Sequence, residues 1–165
     1  INEEDFLFHC DASSFFIRSV KPLIKLMQKT NTDIMCFSLP LVEKEWTSHH
    51  VLRYFKATDE MMNSSQILAN FLIVKKTNRT VAFVKEWLDL CSNIDLLSGK
   101  VDENSVKPNY FRDHRFDQSI LSLLCKKYNI NPFKDPSQFG EFPEMYRNNG
   151  TIIYKRHTSD FLEQQ

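Results

Sequence analysis

The residue pattern predicts an α/β domain: a mixed, mostly parallel sheet flanked by helices in a Rossmann-like arrangement. Two observations carry this. Short apolar runs of strand character alternate with stretches of helical period, and polar residues follow the carboxyl ends of the strands, where sheets of this kind bind ligands. At 165 residues, with 42% apolar and 13% aromatic content, residues 1–165 suit a single domain with one packed core.

The first strand is the run Asp5 to Cys10, which delivers Asp11-Ala12-Ser13-Ser14 at its carboxyl end. Lys21 to Thr30 follows a helical period, with Pro22 tolerated in the first turn and Leu23, Ile24, Leu26 and Met27 on the apolar side. Asp33 to Leu39 reads as the next strand. A polar and aromatic stretch, Leu41 to Thr47, then precedes a helix from Ser48 through Phe55, capped by Thr47 or Ser48. Gln66 to Lys76 is one apolar strand with an amide, Asn70, set inside it; a buried amide needs partners. In the helix that follows, Val81, Val84, Leu88 and Cys91 form the expected core stripe, reinforced by Phe83 and Trp87. Ser92 to Tyr110 turns polar and irregular, the best candidate for a loop over a site. After Asn129, prolines 132, 136 and 143 interrupt structure until a short strand, Thr151 to Tyr154, leads into Lys155-Arg156-His157, a run that reads as a solvated basic tail.

Charge excludes some functions. Lys plus Arg number 21 and Asp plus Glu number 21, so no net field draws in nucleic acid or an anionic membrane. No apolar run approaches the ~20 residues of a transmembrane helix and no signal peptide opens the sequence, which sets a cytoplasmic expectation. Cys10, Cys36, Cys91 and Cys125 form no CxxC pair and read as reduced, structural thiols. The three glycines build no phosphate-binding loop of the GxGxxG or GxxxxGK type.

The segment Asp113-His114-Arg115-Phe116-Asp117-Gln118-Ser119 runs directly into an amphipathic helix with apolar residues at Ile120, Leu121, Leu123, Leu124 and Tyr128. Asp117 and Gln118 fall in its first turn, where the helix dipole favours an ionised carboxylate. Asp117 can serve there as a dipole-satisfying residue or reach toward a hydroxyl-rich ligand.

Five stretches in order, Phe6 to Ser13, Leu41 to Thr47, Gln66 to Ile73, Val84 to Leu88 and His114 to Ser119, resemble nucleotide-sugar-dependent glycosyltransferases of the GT-A fold, of the kind that build capsule, lipopolysaccharide and large-virus glycans. The resemblance spans Asp5 to about Ile130 and implies transfer of a sugar from a nucleotide-sugar donor to a glycan, glycoprotein or other hydroxyl acceptor. It implies Mn²⁺ or Mg²⁺ at the donor diphosphate, held through a DxD-type motif that here reads Asp11-Ala12-Ser13, with a hydroxyl replacing the second carboxylate. His157 would complete the metal site. Asn70 and Gln118 would touch the donor sugar, Glu43 and Trp46 the acceptor side, and His114 and Arg115 would add binding contacts. Asp117 would be the catalytic carboxylate, either removing the acceptor proton or orienting the donor. The family's nucleoside-binding strands precede the point at which this sequence starts, so the chain reads as the C-terminal portion of a GT-A domain. Apolar surface exposed by their absence would favour self-association. The alternative reading is a noncatalytic glycan-binding or assembly module derived from such an enzyme.

Overall fold

The computed structural model describes residues 1–100, 108–140 and 152–155. At its centre is a three-stranded sheet in the order β1 (Phe6–Cys10), β6 (Phe71–Lys75), β3 (Ile34–Met35). Two small sheets adjoin it, β2 (Ser14–Phe16) with β7 (Ile153–Lys155) and β4 (Ser38–Val42) with β5 (Ser65–Ile67). The α/β class stands, but the mostly parallel sheet does not. Every strand pair among the described residues is antiparallel, and parallel contact is confined to isolated bridges, Phe37 with Phe133 and Ser137 with Ile153. The paired strands are joined by long connections, 22 residues between β4 and β5 and 35 between β3 and β6, lengths that allow either direction, so alternation of helix and strand does not by itself make a sheet parallel.

The apolar run from Gln66 to Lys76 is two strands, not one. At Leu68 to Asn70 the chain leaves β5 and enters β6, with the Leu68 N–H donating to the Phe37 carbonyl at 2.8 Å. Strand β6 is buried on both faces. Leu72 and Val74 join Ile34, Phe83, Ile120, Leu121 and Leu124 in one core, while Phe71 and Ile73 join Leu23, Met27, Met35, Phe37, Ile152 and Ile153 in the other. Helix α1 (Lys21–Thr30) covers the second face, with Pro22 in its first turn as expected and Asn31 closing it at a left-handed φ of 51°. Helices α5 (Asn78–Ser92) and α7 (Phe116–Lys127) cover the first. Strand β1 is a half-buried edge, Phe6, Phe8 and Cys10 facing in and Leu7 and His9 facing out.

Helix α5 presents a different face from the one its spacing suggested. Val81, Val84 and Leu88 are exposed, and Thr80, Phe83 and Leu90 are buried. The start of the helix sets this rotation. Thr77 and Thr80 form a reciprocal cap, and the Thr80 hydroxyl also donates to the Lys75 carbonyl at 2.6 Å, tying that face to the end of β6. With Leu7 and Val74, the outward valines line an apolar groove of about 240 Å³. Short helix α6 (Ile94–Leu97) follows, so the stretch expected to be a loop begins as ordered structure; residues 101–107 of it lie outside the described residues.

Helix α7 was expected to bury one face. It is buried all round from Gln118 to Cys125. Helix α2 (Glu43–Trp46), helix α3 (His49–Tyr54, capped by the Ser48 hydroxyl) and β5 lie against it on one side, α5 and α6 on the other. A helix in that position carries three polar side chains inward, Gln118, Ser119 and Ser122, and all find partners. The Ser122 hydroxyl donates to the carboxylate of Glu43, which is fully buried, and accepts from the Ile67 N–H at 2.9 Å. Glu43 also accepts from the Thr47 hydroxyl, from the Gln66 amide at 3.4 Å and from the Lys126 ammonium.

A buried ion pair left with one member costs about 3–5 kcal/mol, mostly from the charge stranded in the core. Glu43→Ala is therefore expected to lower unfolding free energy by about that amount in urea titrations. Glu43→Leu combined with Lys126→Met should recover much of the loss, because neither charge then remains buried.

Candidate functional site

Two segments far apart in sequence form opposite walls of one cleft of about 640 Å³. The first is the turn between β1 and β2. Its conformation is set by Asn70, which occupies the break between β5 and β6 and acts through backbone and side chain together. The Asn70 carbonyl accepts from the Asp11 N–H at 2.8 Å, and its amide nitrogen donates to Asp11 Oδ2 at 2.8 Å and to Ser13 Oγ at 3.4 Å. Asn70 Oδ1 accepts from the Ser14 hydroxyl at 2.6 Å. The amide expected to need partners thus has them, and they are Asp11, Ser13 and Ser14 of this turn. His9 Nε2 lies 3.8 Å from Asp11 Oδ1.

The second wall is the segment 113–118 entering α7. The Arg112 and Asp113 N–H groups donate to the Glu45 carbonyl and the Arg115 N–H to Trp46, so the segment runs along α2. Ser119 Oγ accepts from the Arg115 N–H at 3.0 Å and donates to the Trp46 carbonyl at 2.8 Å, fixing the helix start from inside. Asp113, Arg115 and Asp117 are exposed and line the cleft opposite Asp11, Ser13 and Asn70. Sequence positions 11, 70 and 117 therefore meet at one site.

Gln118 and His114 also border the cleft, but their polar atoms are engaged with the protein. The Gln118 amide nitrogen donates to Gln66 Oε1 at 2.8 Å, and its oxygen lies 3.5 Å from the Ala69 N–H. The His114 ring is buried; Nδ1 accepts from the Ser48 N–H at 3.2 Å, which assigns the proton to Nε2 and directs it to the Leu96 carbonyl at 3.1 Å. Gly99, at φ 65°, lies flat against this ring, and a Cβ there would meet it at 2.4 Å. Burial holds the His114 imidazole below its ordinary value, against the pull of the Leu96 carbonyl.

Glu43 and Trp46, expected on the acceptor side, do not line this cleft. Glu43 is fully buried beneath α7, because its carboxylate answers Ser122 and Lys126. Trp46 supplies its carbonyl to Ser119 and its ring to the Arg115 guanidinium, 5.4 Å from the ring centroid. His157 lies outside the described residues.

Among the polar and aromatic residues that line the cleft, sequence reasoning passed over four, Asp113, Phe116, Phe139 and Lys155. Lys155 is no solvated tail residue. Its ammonium pairs with buried Asp135 at 2.7 Å and lies 5.0 Å from the centroid of Phe139. A lysine in a short basic run carries no signal that distinguishes this, since Asp135 and Phe139 approach it through the bridge of Ser137 with Ile153 and the hydrogen bonds of the Gln138 amide to the Lys155 backbone. The four cysteines are free thiols, Cys36 and Cys125 buried and Cys10 and Cys91 half-buried, and burial with the nearby Asp117 charge pushes Cys91 up to about 11.

Among the described residues no three of His, Cys, Asp and Glu converge as a metal-binding group, and no helix is long and apolar enough to cross a membrane. Comparison with protein-family models, with curated proteins and with solved structures finds no match for the chain.

Because the fold disfavours the charged imidazole of His114 while the unfolded chain titrates near 6.5, this site's contribution is complete above pH 6.5 and is lost as pH falls from there through the lower folded value. The melting temperature should therefore drop across that acidic window. In His114→Asn, already destabilised at neutral pH, the drop should be smaller, as followed by circular dichroism.

Proposed function

We propose that the chain carries the donor-phosphate and acceptor-activating groups of a nucleotide-sugar-dependent glycosyltransferase. The observation that carries this reading is the convergence of Asp11, Ser13, Asn70 and Asp117 on one cleft, together with the resemblance in sequence order of the segments that supply them. The residues suit a divalent ion in one limited sense. Asp11 with the Ser13 hydroxyl offers hard oxygen ligands to Mn²⁺ or Mg²⁺, and such ions take one or two carboxylates and complete their shell with substrate phosphates and water. When bound there, the ion would neutralise charge on a diphosphate leaving group.

The protein's own part falls to three groups. Asn70 holds Asp11 and Ser13 in the turn through its amide. Gln118, bonded inward to Gln66, braces the start of α7 rather than reaching for a sugar. Asp117 is left as the exposed carboxylate of that first turn, and this arrangement favours the inverting mechanism. Asp117 takes the proton of the acceptor hydroxyl as the acceptor oxygen bonds to the anomeric carbon, and the bond from that carbon to the diphosphate oxygen breaks, releasing the nucleoside diphosphate.

A glycan-binding module without catalysis is the second reading. It is favoured by the serine at position 13 and by the hydrogen bond that already occupies one Asp11 oxygen. Turnover separates the two. With Mn²⁺ and a panel of UDP-, GDP- and dTDP-sugars, the chain should release nucleoside diphosphate, and Asp117→Asn should lower that rate by about 10²–10⁴-fold with an unchanged melting temperature. Asp11→Ala should remove the Mn²⁺-dependent thermal shift given by the donor. Near-normal turnover in Asp117→Asn would remove that residue's role, and absence of both donor binding and turnover would sink the enzymatic reading.

A further inference from the structure

We propose that Phe116 and Phe139 form an aromatic platform on which the cleft stacks a pyranose ring. The choice of a sugar as ligand rests on the glycosyl-transfer reading; the platform itself rests on geometry. Of fourteen phenylalanines in the chain, most of those described serve the cores, as Phe37, Phe71 and Phe83 do. Phe116 and Phe139 instead stand 59% and 56% exposed while lining the same cleft.

Phe116 is held there against its backbone preference. Its φ is 47°, in the left-handed region that a bulky side chain rarely adopts. Strain of this kind persists where the surroundings impose it, and it gathers at ligand sites. Here the surroundings are the Arg115 and Ser119 contacts that start α7 from inside. Phe139 is set by the 3-10 turn Gln138–Gly140, locked to Lys155 by two hydrogen bonds of the Gln138 amide.

The polar groups beside the platform select the class of ligand. Asp113 and Asp117 flank Phe116 in sequence and line the cleft with it. Ionised carboxylates only accept hydrogen bonds, so they suit the hydroxyl donors along the edge of a sugar. The apolar C–H face of a pyranose would lie on the ring. A nucleobase would stack as well and its N–H groups can donate to a carboxylate, so nucleotides without sugar are the comparison that the test requires.

The test uses the whole chain, with methyl glycosides of glucose, galactose, mannose and N-acetylglucosamine, plus UDP and GDP without sugar, followed by the amide signals of residues 113–119 in NMR titrations. At least one glycoside should shift these signals. Phe116→Leu and Phe116→Gly should weaken its binding about tenfold, the scale of one aromatic contact, and Phe116→Trp should retain it. The melting temperature of Phe116→Gly should hold or rise, since glycine relieves the positive φ, so loss of binding cannot be loss of fold. The proposal is overturned if no glycoside binds, if Phe116→Leu binds as the parent does, or if UDP or GDP alone shows the same dependence on Phe116. Glycoside binding that depends on Phe116 without any turnover would uphold the platform and sink the enzymatic reading; turnover unchanged in Phe116→Leu would do the reverse.

Discussion

The buried carboxylate of Glu43 fixes how α7 sits against α2 and β5. It has no contact with water and satisfies itself through Thr47, Gln66, Ser122 and Lys126, joining α2, β5 and α7 at one point. Apolar contacts alone would leave α7 poorly specified, because a helix with Ile120, Leu121, Leu123 and Leu124 around its circumference can turn about its axis and still bury apolar surface. Ser119 and Ser122, three residues apart and therefore on one side, remove that freedom. A rotated α7 would leave the Glu43 charge in the core with fewer partners, which is costly in a low-dielectric interior.

That fixed rotation decides what the cleft receives. With Ser119 facing α2 and Gln118 facing Gln66, Asp117 is carried outward and Phe116 is forced into its left-handed backbone. The opposite wall is held by a different device. Asn70 gives every polar atom of its side chain to the turn 11–14, and its carbonyl takes the Asp11 N–H, so the turn position follows from the break between β5 and β6. Each wall is thus supported from a buried or half-buried element, the arrangement a binding site needs if its groups are to stay within a fraction of an ångström of their working positions.

What was legible in the sequence were the features that local chemistry dictates. The helix Lys21–Thr30 follows from its period and its proline, the Ser48 cap from its side chain, and the approach of Asp11 to Asp117 from their places at element ends, whereas Asn70 read as the interior of one strand and its place at a break between two was not legible. Strand direction was not legible, because alternation of helix and strand looks the same whether the chain crosses over or doubles back, and here β3 and β1 both run against β6. The face of α5 was misread since that helix carries two apolar stripes, and a threonine cap rather than hydropathy chooses between them. Glu43 carried the signal of a site residue for a physical reason too: an acidic residue at a strand end beside a tryptophan has the same sequence signature whether it faces a ligand or a buried lysine.

The charge balance of the cleft follows from the same geometry. Asp11, Asp113 and Asp117 line it against Arg115 and Lys155, but Lys155 is already neutralised by Asp135, and the Arg115 guanidinium lies over Trp46. The walls as they stand are therefore net acidic. A bare diphosphate entering would meet repulsion rather than a ready-made anion site, whereas a neutral, hydroxyl-rich molecule would meet acceptors and two aromatic faces. An anionic donor becomes compatible with these walls only when it brings positive charge with it, as a divalent ion on its phosphates would. On the glycosyl-transfer reading proposed above, the Asp11 side would take the cation-accompanied phosphate and the Asp117 side the hydroxyl group of a second, uncharged partner, a division that rests on Ser13 and Asn70 beside Asp11 rather than on a difference of charge between the walls.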